Sequence, residues 1–123
     1  TEPTRVALFA DNSPRWMIAD QGILTAGAAD VVRSAQADKD ELLYILENSG
    51  SIALVVEDLK TLQKLGSGIQ DLPIQLVVLL SDETPEASNN LTVFNFSQVM
   101  AKGQNQALQP VAQNRETLAT LLY

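Results

Sequence analysis

The side chains that could carry acid–base or metal chemistry belong to few types in this sequence. Histidine and cysteine are both missing from its 123 residues, which excludes imidazole bases, disulfides and thiolate metal sites. Any catalysis would therefore depend on carboxylates, hydroxyls or lysine. Carboxylates are plentiful, with 15 Asp and Glu residues against 8 Lys and Arg, so their placement decides whether they form a site.

A glycine-rich tripeptide, Gly66-Ser67-Gly68, could offer backbone N–H groups to a phosphate. It follows a helical pattern instead of joining a strand to a helix N-terminus, and no Lys-Ser or Lys-Thr pair comes after it. Because glycine so often ends helices, we predict a helix terminus here and no phosphate site. Gly22 and Gly27 do not fit the spacing of a nucleotide loop, and we predict that they are packing glycines.

Two groups of carboxylates could bind a hard cation through oxygen. Glu83 and Glu86 form one group, and Asp38, Asp40 and Glu41 form the other. A solvated surface explains the first, and a favourable interaction with a helix dipole explains the second. We therefore predict no metal site.

Three further features have ordinary explanations. The tripeptides at 90–92 and 95–97 fit the glycosylation sequon, but such matches arise by chance and matter only in a secreted protein. Trp16, the single tryptophan, lies on the apolar face of a predicted helix, which favours a core position over a ligand pocket. The residues thus predict no catalytic, cofactor-binding or metal-binding site in this chain.

Charge and hydropathy exclude two classes of partner. The formal net charge is -7, and the basic residues are scattered, so we expect no nucleic-acid binding. No apolar run approaches the roughly 20 residues of a membrane helix. The first residues, TEPTRVALF, lack the pattern of a secretory signal, and we expect a cytoplasmic protein.

The spacing of apolar residues and the capping residues predict the strands and helices that must position any site. Strands are predicted at 5–10, 30–33, 52–57, within 72–82, at 91–94 and from 118 onward. A first helix begins at the N-cap Ser13 with Pro14 in the first position. A second begins with a capping box of Asp38 and Glu41 and ends at Gly50. Further helices are predicted at 59–69, with interruptions at its glycines, and at 97–102, with a surface loop at 83–90 and an irregular linker at 103–115.

Alternation of strands and helices of this length is typical of βαβ units, whose crossovers are almost always right-handed. We therefore predict an α/β fold of the Rossmann-like type, a mainly parallel sheet with helices on both faces.

The order of the segments resembles the N-terminal region of adenylate-forming acyl synthetases. VALFADNSPRWMIADQGILTAGAADVV is followed by DKDELLYILENSGSIALVVED, which resembles the family's succession of an Asn-Ser-Pro-x-Trp helix start, an Ala-Gly-Ala helix end and a Glu-Leu-x-Tyr-Ile-Leu helix. The segment AGAADVVRSAQAD is similar to the sequences of the cyanobacterial and plastid branch, whose members activate free fatty acids and transfer them to acyl carrier protein.

The resemblance implies a parent enzyme that uses ATP and magnesium to make an acyl-adenylate and then transfers the acyl group to a thiol of acyl carrier protein or CoA. It also implies that residues 1–123 are part of a larger N-terminal AMP-binding domain, truncated inside the strand that precedes the ATP phosphate loop. We expect the chain itself to be structural and inactive, to hold no cofactor, and to self-associate through the surface exposed where it is truncated. The alternative is a free-standing flavodoxin-like binding or regulatory domain with its ligand at the carboxyl ends of the strands.

Overall fold

The computed structural model of the chain describes residues 3–85, 91–104 and 120–122. Its strands are β1 Arg5–Phe9, β2 Ala29–Arg33, β3 Ala53–Val56, β4 Leu76–Leu79, β5 Thr92–Phe94 and β6 Thr120–Leu122. Its helices are α1 Pro14–Thr25, α2 Lys39–Ser49, α3 Leu59–Leu65 and α4 Phe96–Gln104. These elements confirm the predicted alternation of strand and helix.

The strands form one six-stranded sheet in the order β5-β4-β3-β1-β2-β6, and every neighbouring pair is parallel. The chain moves from β1 to β2 and then returns to place β3 on the other side of β1. The order β2-β1-β3-β4-β5 is that of a flavodoxin-like sheet, whose topological switch point lies between β1 and β3. The predicted α/β architecture is confirmed.

One face of the sheet is covered by α2 and α3. Phe9, Leu54 and Val77 point to this face from three adjacent strands and are completely buried. They pack in one cluster with Leu46 of α2 and Leu65 of α3. Strands buried in this way explain the unbroken apolar runs of the sequence.

The opposite face carries α1 and α4. Leu8, Val55 and Leu80 form its smaller core together with Ile23 of α1, and Phe96 of α4 is partly buried against it. Trp16 also packs there and is only half-buried, so the predicted core position is confirmed in part.

Helix capping follows the sequence in two places and departs from it in a third. The Ser13 hydroxyl accepts a hydrogen bond from the Trp16 backbone N–H at 3.0 Å, and Gly50 ends α2, both as predicted. Asp38 does occupy the N-cap position of α2, but its side chain makes no capping hydrogen bond. Glu41 instead accepts two hydrogen bonds from the Arg33 guanidinium, at 2.8 and 3.0 Å. The predicted capping box was wrong because a cation at the end of β2 binds its glutamate.

The prediction of packing glycines was also wrong for Gly22. A Cβ built on Gly22 would meet nothing within 4 Å, so this glycine does not serve close packing. Gly27 follows α1 with a φ of 83°, a left-handed conformation that favours glycine whatever the surrounding space.

Several predicted boundaries moved. The third helix is α-helical only to Leu65 and continues as a 3₁₀ turn, Gly66–Ile69. The helix predicted at 97–102 runs over Phe96–Gln104, so residues 103–104 are helical and not linker. Residues 105–119 of the predicted linker and strand, and 86–90 of the predicted loop, lie outside the described residues.

Within the described part of the chain, no helix is long and apolar enough to span a membrane.

Candidate functional site

Polar side chains collect at the carboxyl edge of the sheet, where a doubly wound fold binds its ligands. Asp11 follows β1, Ser34 follows β2, and Glu57 follows β3. Beyond β4 the chain continues as Ser81-Asp82-Glu83, and Asn95 follows β5. This edge is therefore the first place to look for a binding site.

At the switch point, a carboxylate joins the ends of β1 and β3. Glu57 Oε1 accepts a hydrogen bond from the Asp11 backbone N–H at 3.0 Å, and the Glu57 N–H donates to the Phe9 carbonyl at 3.1 Å. The Asp11 carboxylate in turn accepts a hydrogen bond from the Ser34 hydroxyl at 2.6 Å. Two carboxylates thus line the position that a phosphate or flavin would approach, and their charge opposes an anion there.

The N-terminus of α3 is likewise occupied by the chain's own carboxylates. Asp58 Oδ1 accepts hydrogen bonds from the Thr61 N–H at 2.9 Å and from the Thr61 hydroxyl at 2.7 Å. Glu83 Oε1 accepts from the Leu59 N–H at 2.8 Å and from the Ser81 hydroxyl at 2.7 Å. Two of the backbone donors that could have held an anion, the N–H groups of Leu59 and Thr61, already have partners.

A second polar cluster joins α1 to β4 and α4. Arg15 donates to both oxygens of the Asp82 carboxylate at 2.9 and 3.1 Å, and to the Leu80 carbonyl at 2.7 Å. The guanidinium lies over the Phe96 ring, 4.3 Å from its centroid. The Ser97 hydroxyl donates to Asp82 at 2.7 Å.

These contacts shift both ionisable groups away from titration near neutral pH. Hydrogen bonds from Arg15 and then Ser97 lower the pKa of the Asp82 carboxyl. The hydrogen bond to Asp82 raises the pKa of Arg15. Because both groups keep their charge at neutral pH, neither is suited to general acid–base catalysis.

The candidate residues named from the sequence do not form one site. Gly66-Ser67-Gly68 lies between α3 and β4, at the amino edge of the parallel strands and so at the opposite end of the sheet from the expected ligand site. Gly66 takes the C-cap position of α3, which confirms the predicted helix terminus. Gly68 lies against Leu43 of α2, where a Cβ would approach a leucine methyl to 2.6 Å.

The acidic candidates remain separate as well. Glu83 follows β4, whereas Asp38 and Glu41 follow β2 at the start of α2. Across the described ranges 3–85, 91–104 and 120–122, no group of three or more Asp or Glu residues could hold a metal ion. Asn95, the acceptor of one sequon, caps α4 by accepting from the Gln98 N–H at 2.8 Å.

Sequence analysis missed Glu57 and the pair of Arg15 and Asp82. Glu57 was predicted only as the last residue of a strand, although a carboxylate directly after a buried parallel strand is the signal that places it at this edge. Arg15 and Asp82 are 67 residues apart, and no local pattern connects them.

An apolar concave feature lies on the face of the sheet that carries α1 and α4. It is a groove of about 770 Å³ between α1 and α4. Val6, Val55 and Val78 form its floor, and Ile18 and Met100 stand on opposite walls. Gly22 also lines it, which explains the open space around that residue. The described residues that line it are apolar and include no charged side chain, so the groove suits apolar groups.

The match to a family model extends over the whole chain. The model described as "AMP-binding enzyme" matches residues 1–123. The chloroplastic long-chain-fatty-acid–[acyl-carrier-protein] ligase AEE15 of Arabidopsis thaliana is 31% identical over 114 residues, 89% of this chain and 16% of that protein. The probable chloroplastic acyl-activating enzyme 16 of the same plant is 36% identical over 104 residues, 81% of this chain and 14% of that protein.

A solved structure shares the fold at lower identity. Coronafacic acid ligase from Pectobacterium brasiliense superposes with a TM-score of 0.80 at 16% identity, over 100% of this chain and 24% of that one. The sheet and helices described above therefore match the α/β fold found in the ligase structure. The chain spans about a sixth of the length of the curated relatives it matches.

Proposed function

Because this chain belongs to the AMP-binding enzyme family, we propose that it is a structural part of an ATP-dependent, AMP-forming ligase that activates a long-chain fatty acid. The observation that carries the proposal is the combined match to the family model and to relatives named as fatty-acid ligases or acyl-activating enzymes. In the reaction, the fatty acid and ATP give an acyl-adenylate and pyrophosphate, and a thiol then takes the acyl group as a thioester and releases AMP.

We assign ATP and magnesium to other residues of such an enzyme, because carboxylates occupy the expected phosphate positions and no group of three or more described Asp or Glu residues could hold a metal ion. The switch point carries the carboxylates of Asp11 and Glu57, and the α3 N-terminus is capped by Asp58 and Glu83. Each of these groups would repel a triphosphate. The part that this chain plays is to provide the sheet and to fix its edge, and we propose that it is inactive alone.

The acceptor of the acyl group is proposed as the thiol of acyl carrier protein or CoA. One relative is named for acyl carrier protein, and another, a long chain acyl-CoA synthetase of Arabidopsis thaliana, is named for CoA. The test is mass spectrometry of the products formed by a protein that contains this chain, with MgATP, palmitate and either acceptor. We expect acyl-AMP without an acceptor and an acyl thioester with one; failure to form either product from any fatty acid would reject the proposal.

A flavodoxin-like binding domain is the second candidate, because the strand order β2-β1-β3-β4-β5 is that of such folds. The carboxylates at the switch point disfavour it. Fluorescence titration of the chain with flavin mononucleotide, and equilibrium dialysis with ATP, separate the two functions. Saturable binding at micromolar concentration would favour the second candidate, and the ligase proposal expects none.

Self-association of the isolated chain is also proposed. The groove between α1 and α4 exposes apolar surface, with Ile18 48% and Met100 42% exposed on its walls. Exposed apolar patches of this kind favour association. Sedimentation velocity over a range of concentrations should show a concentration-dependent increase in mass, and a monomer throughout would contradict it.

A further inference from the structure

Helix α4 is joined to the sheet near both of its ends. Phe96, in its first turn, packs against the core on the face that carries α1, and the helix contacts β4. Near its other end, the Lys102 ammonium lies over the Phe94 ring of β5, 4.9 Å from the centroid. Between these two contacts, Val99 and Met100 line the groove instead of filling it. The middle of α4 therefore faces the groove.

The first turn is held by a cluster that we call the Arg15 latch, consisting of Arg15, Asp82, Phe96 and Ser97. Arg15 reaches from α1 to the end of β4 and covers the Phe96 ring of α4. Asp82 receives both the guanidinium of Arg15 and the hydroxyl of Ser97. One arginine and one carboxylate thus link the two helices that form the walls of the groove.

We propose that the Arg15 latch is a conformational device that sets the width of the groove, and that its release lets α4 swing away while the sheet stays folded. The pair of Arg15 and Asp82 is exposed, with side-chain exposures of 40% and 55%, so it is a weak contact that can open without disrupting the core. The largest apolar cluster of the sheet is separate from the latch, since it lies on the other face. Elements held by few buried contacts are the ones that open locally.

The distance across the groove measures this motion directly. The chain has no cysteine, so Ile18→Cys and Met100→Cys place two spin labels on exposed positions of the opposite walls. Double electron–electron resonance on the doubly labelled chain, diluted into an excess of unlabelled chain so that distances between associated copies are suppressed, should give one narrow distance distribution with the latch intact. Adding Arg15→Met, which keeps the apolar stem over Phe96 and removes the guanidinium, should broaden the distribution and shift it to longer distance.

The matched control is Arg33→Met in the same doubly labelled chain. It breaks the pair of Arg33 and Glu41, which is of similar exposure and lies at the end of β2, away from α4. This variant should leave the label distance unchanged. An unchanged distribution in Arg15→Met, or an equal change in Arg33→Met, would overturn the proposal, as would a broad distribution with the latch intact.

Hydrogen exchange tests whether the motion is local. Arg15→Met should raise the exchange rate of the α4 amides about tenfold, because an exposed bidentate pair and a cation–π contact are lost together. The amides of β1 and β3 should keep their rates. Faster exchange in these central strands to the same degree would mean general unfolding and would overturn the proposal of a latch.

Discussion

Glu57 Oε1 lies 3.0 Å from the backbone nitrogen of Asp11 and accepts its hydrogen bond, so a carboxylate closes the gap between the carboxyl ends of β1 and β3. In an open α/β sheet with this strand order, that gap is where a phosphate-bearing ligand would be expected. In this chain, the Glu57 side chain fills that position and binds the backbone of Asp11. This relationship is the geometric basis for treating the chain as a scaffold.

The hydrogen bond of Glu57 should contribute measurably to stability. Glu57→Ala leaves the Asp11 N–H without this acceptor in a partly buried place, and we expect a loss of about 1 to 3 kcal/mol in the free energy of unfolding. Glu57→Gln, which keeps an acceptor oxygen, should cost less. The control is Glu47→Ala on the exposed side of α2, expected within about 0.5 kcal/mol of the parent. Urea unfolding followed by circular dichroism measures all three, and equal effects of Glu57→Ala and Glu47→Ala would refute the assignment.

Two aspartates in N-cap positions should behave differently. Asp58 accepts two hydrogen bonds from Thr61, whereas Asp38 makes no capping bond with its side chain. We expect Asp58→Ala to cost about 0.5 to 2 kcal/mol. Asp38→Ala should cost only a few tenths, from its weak interaction with the helix dipole. The comparison uses the urea midpoints of the two variants, and a larger loss at Asp38 would contradict the capping geometry.

Two glycines should respond to alanine with opposite signs. Gly22 lies inside α1 with open space around it, so Gly22→Ala should stabilise the chain by about 0.5 to 1 kcal/mol through helix propensity. Gly50 has a φ of 67°, and Gly50→Ala should destabilise by about 1 kcal/mol or more, because alanine is strained there. Thermal unfolding of the two variants side by side gives the signs. Destabilisation by Gly22→Ala would show that this residue does serve close packing.

The pKa of Asp82 should depend on Arg15. Hydrogen bonds from Arg15 and Ser97 lower the pKa of Asp82 in the folded chain. The ionised carboxylate therefore stabilises the fold at pH values above the ordinary pKa of aspartate, about 3.9. This contribution to stability is lost as the pH falls through the lowered pKa of the folded state. The carboxylate of the adjacent Glu83 accepts hydrogen bonds from the Leu59 N–H and the Ser81 hydroxyl. Carbon-13 NMR titration of the Asp82 carboxyl should show its midpoint move to higher pH in Arg15→Met. No movement would mean that the ion pair does not form in solution.

Local patterns in the sequence were sufficient for the elements but not for their long-range contacts. Apolar runs predicted the strands because strands of a parallel sheet are buried on both faces, and Ser13, Pro14 and Gly50 marked the helix ends through their own backbone preferences. Strand order could not be derived, since many orders satisfy the same alternation. The capping box failed for the same reason, because Glu41 binds an arginine outside its own helix.

In the candidate site, too, the local features could be predicted from the sequence and the long-range contacts could not. The glycine tripeptide was assigned correctly because its sequence context placed it after a helix. Glu57 and the Arg15 latch join residues 46 and 67 positions apart, and only the folded sheet brings them together. The groove is equally a product of the fold, because its floor and walls come from two helices and three strands that the sequence could not arrange.

ATP–pyrophosphate exchange tests the central claim most directly, with radiolabelled pyrophosphate, MgATP and a series of long-chain fatty acids. The assay compares the isolated 123-residue chain with a full-length protein that contains it. We predict exchange that depends on the fatty acid in the full-length protein and background exchange in the isolated chain. Fatty-acid-dependent exchange by the isolated chain, or none by the full-length protein, would contradict the account.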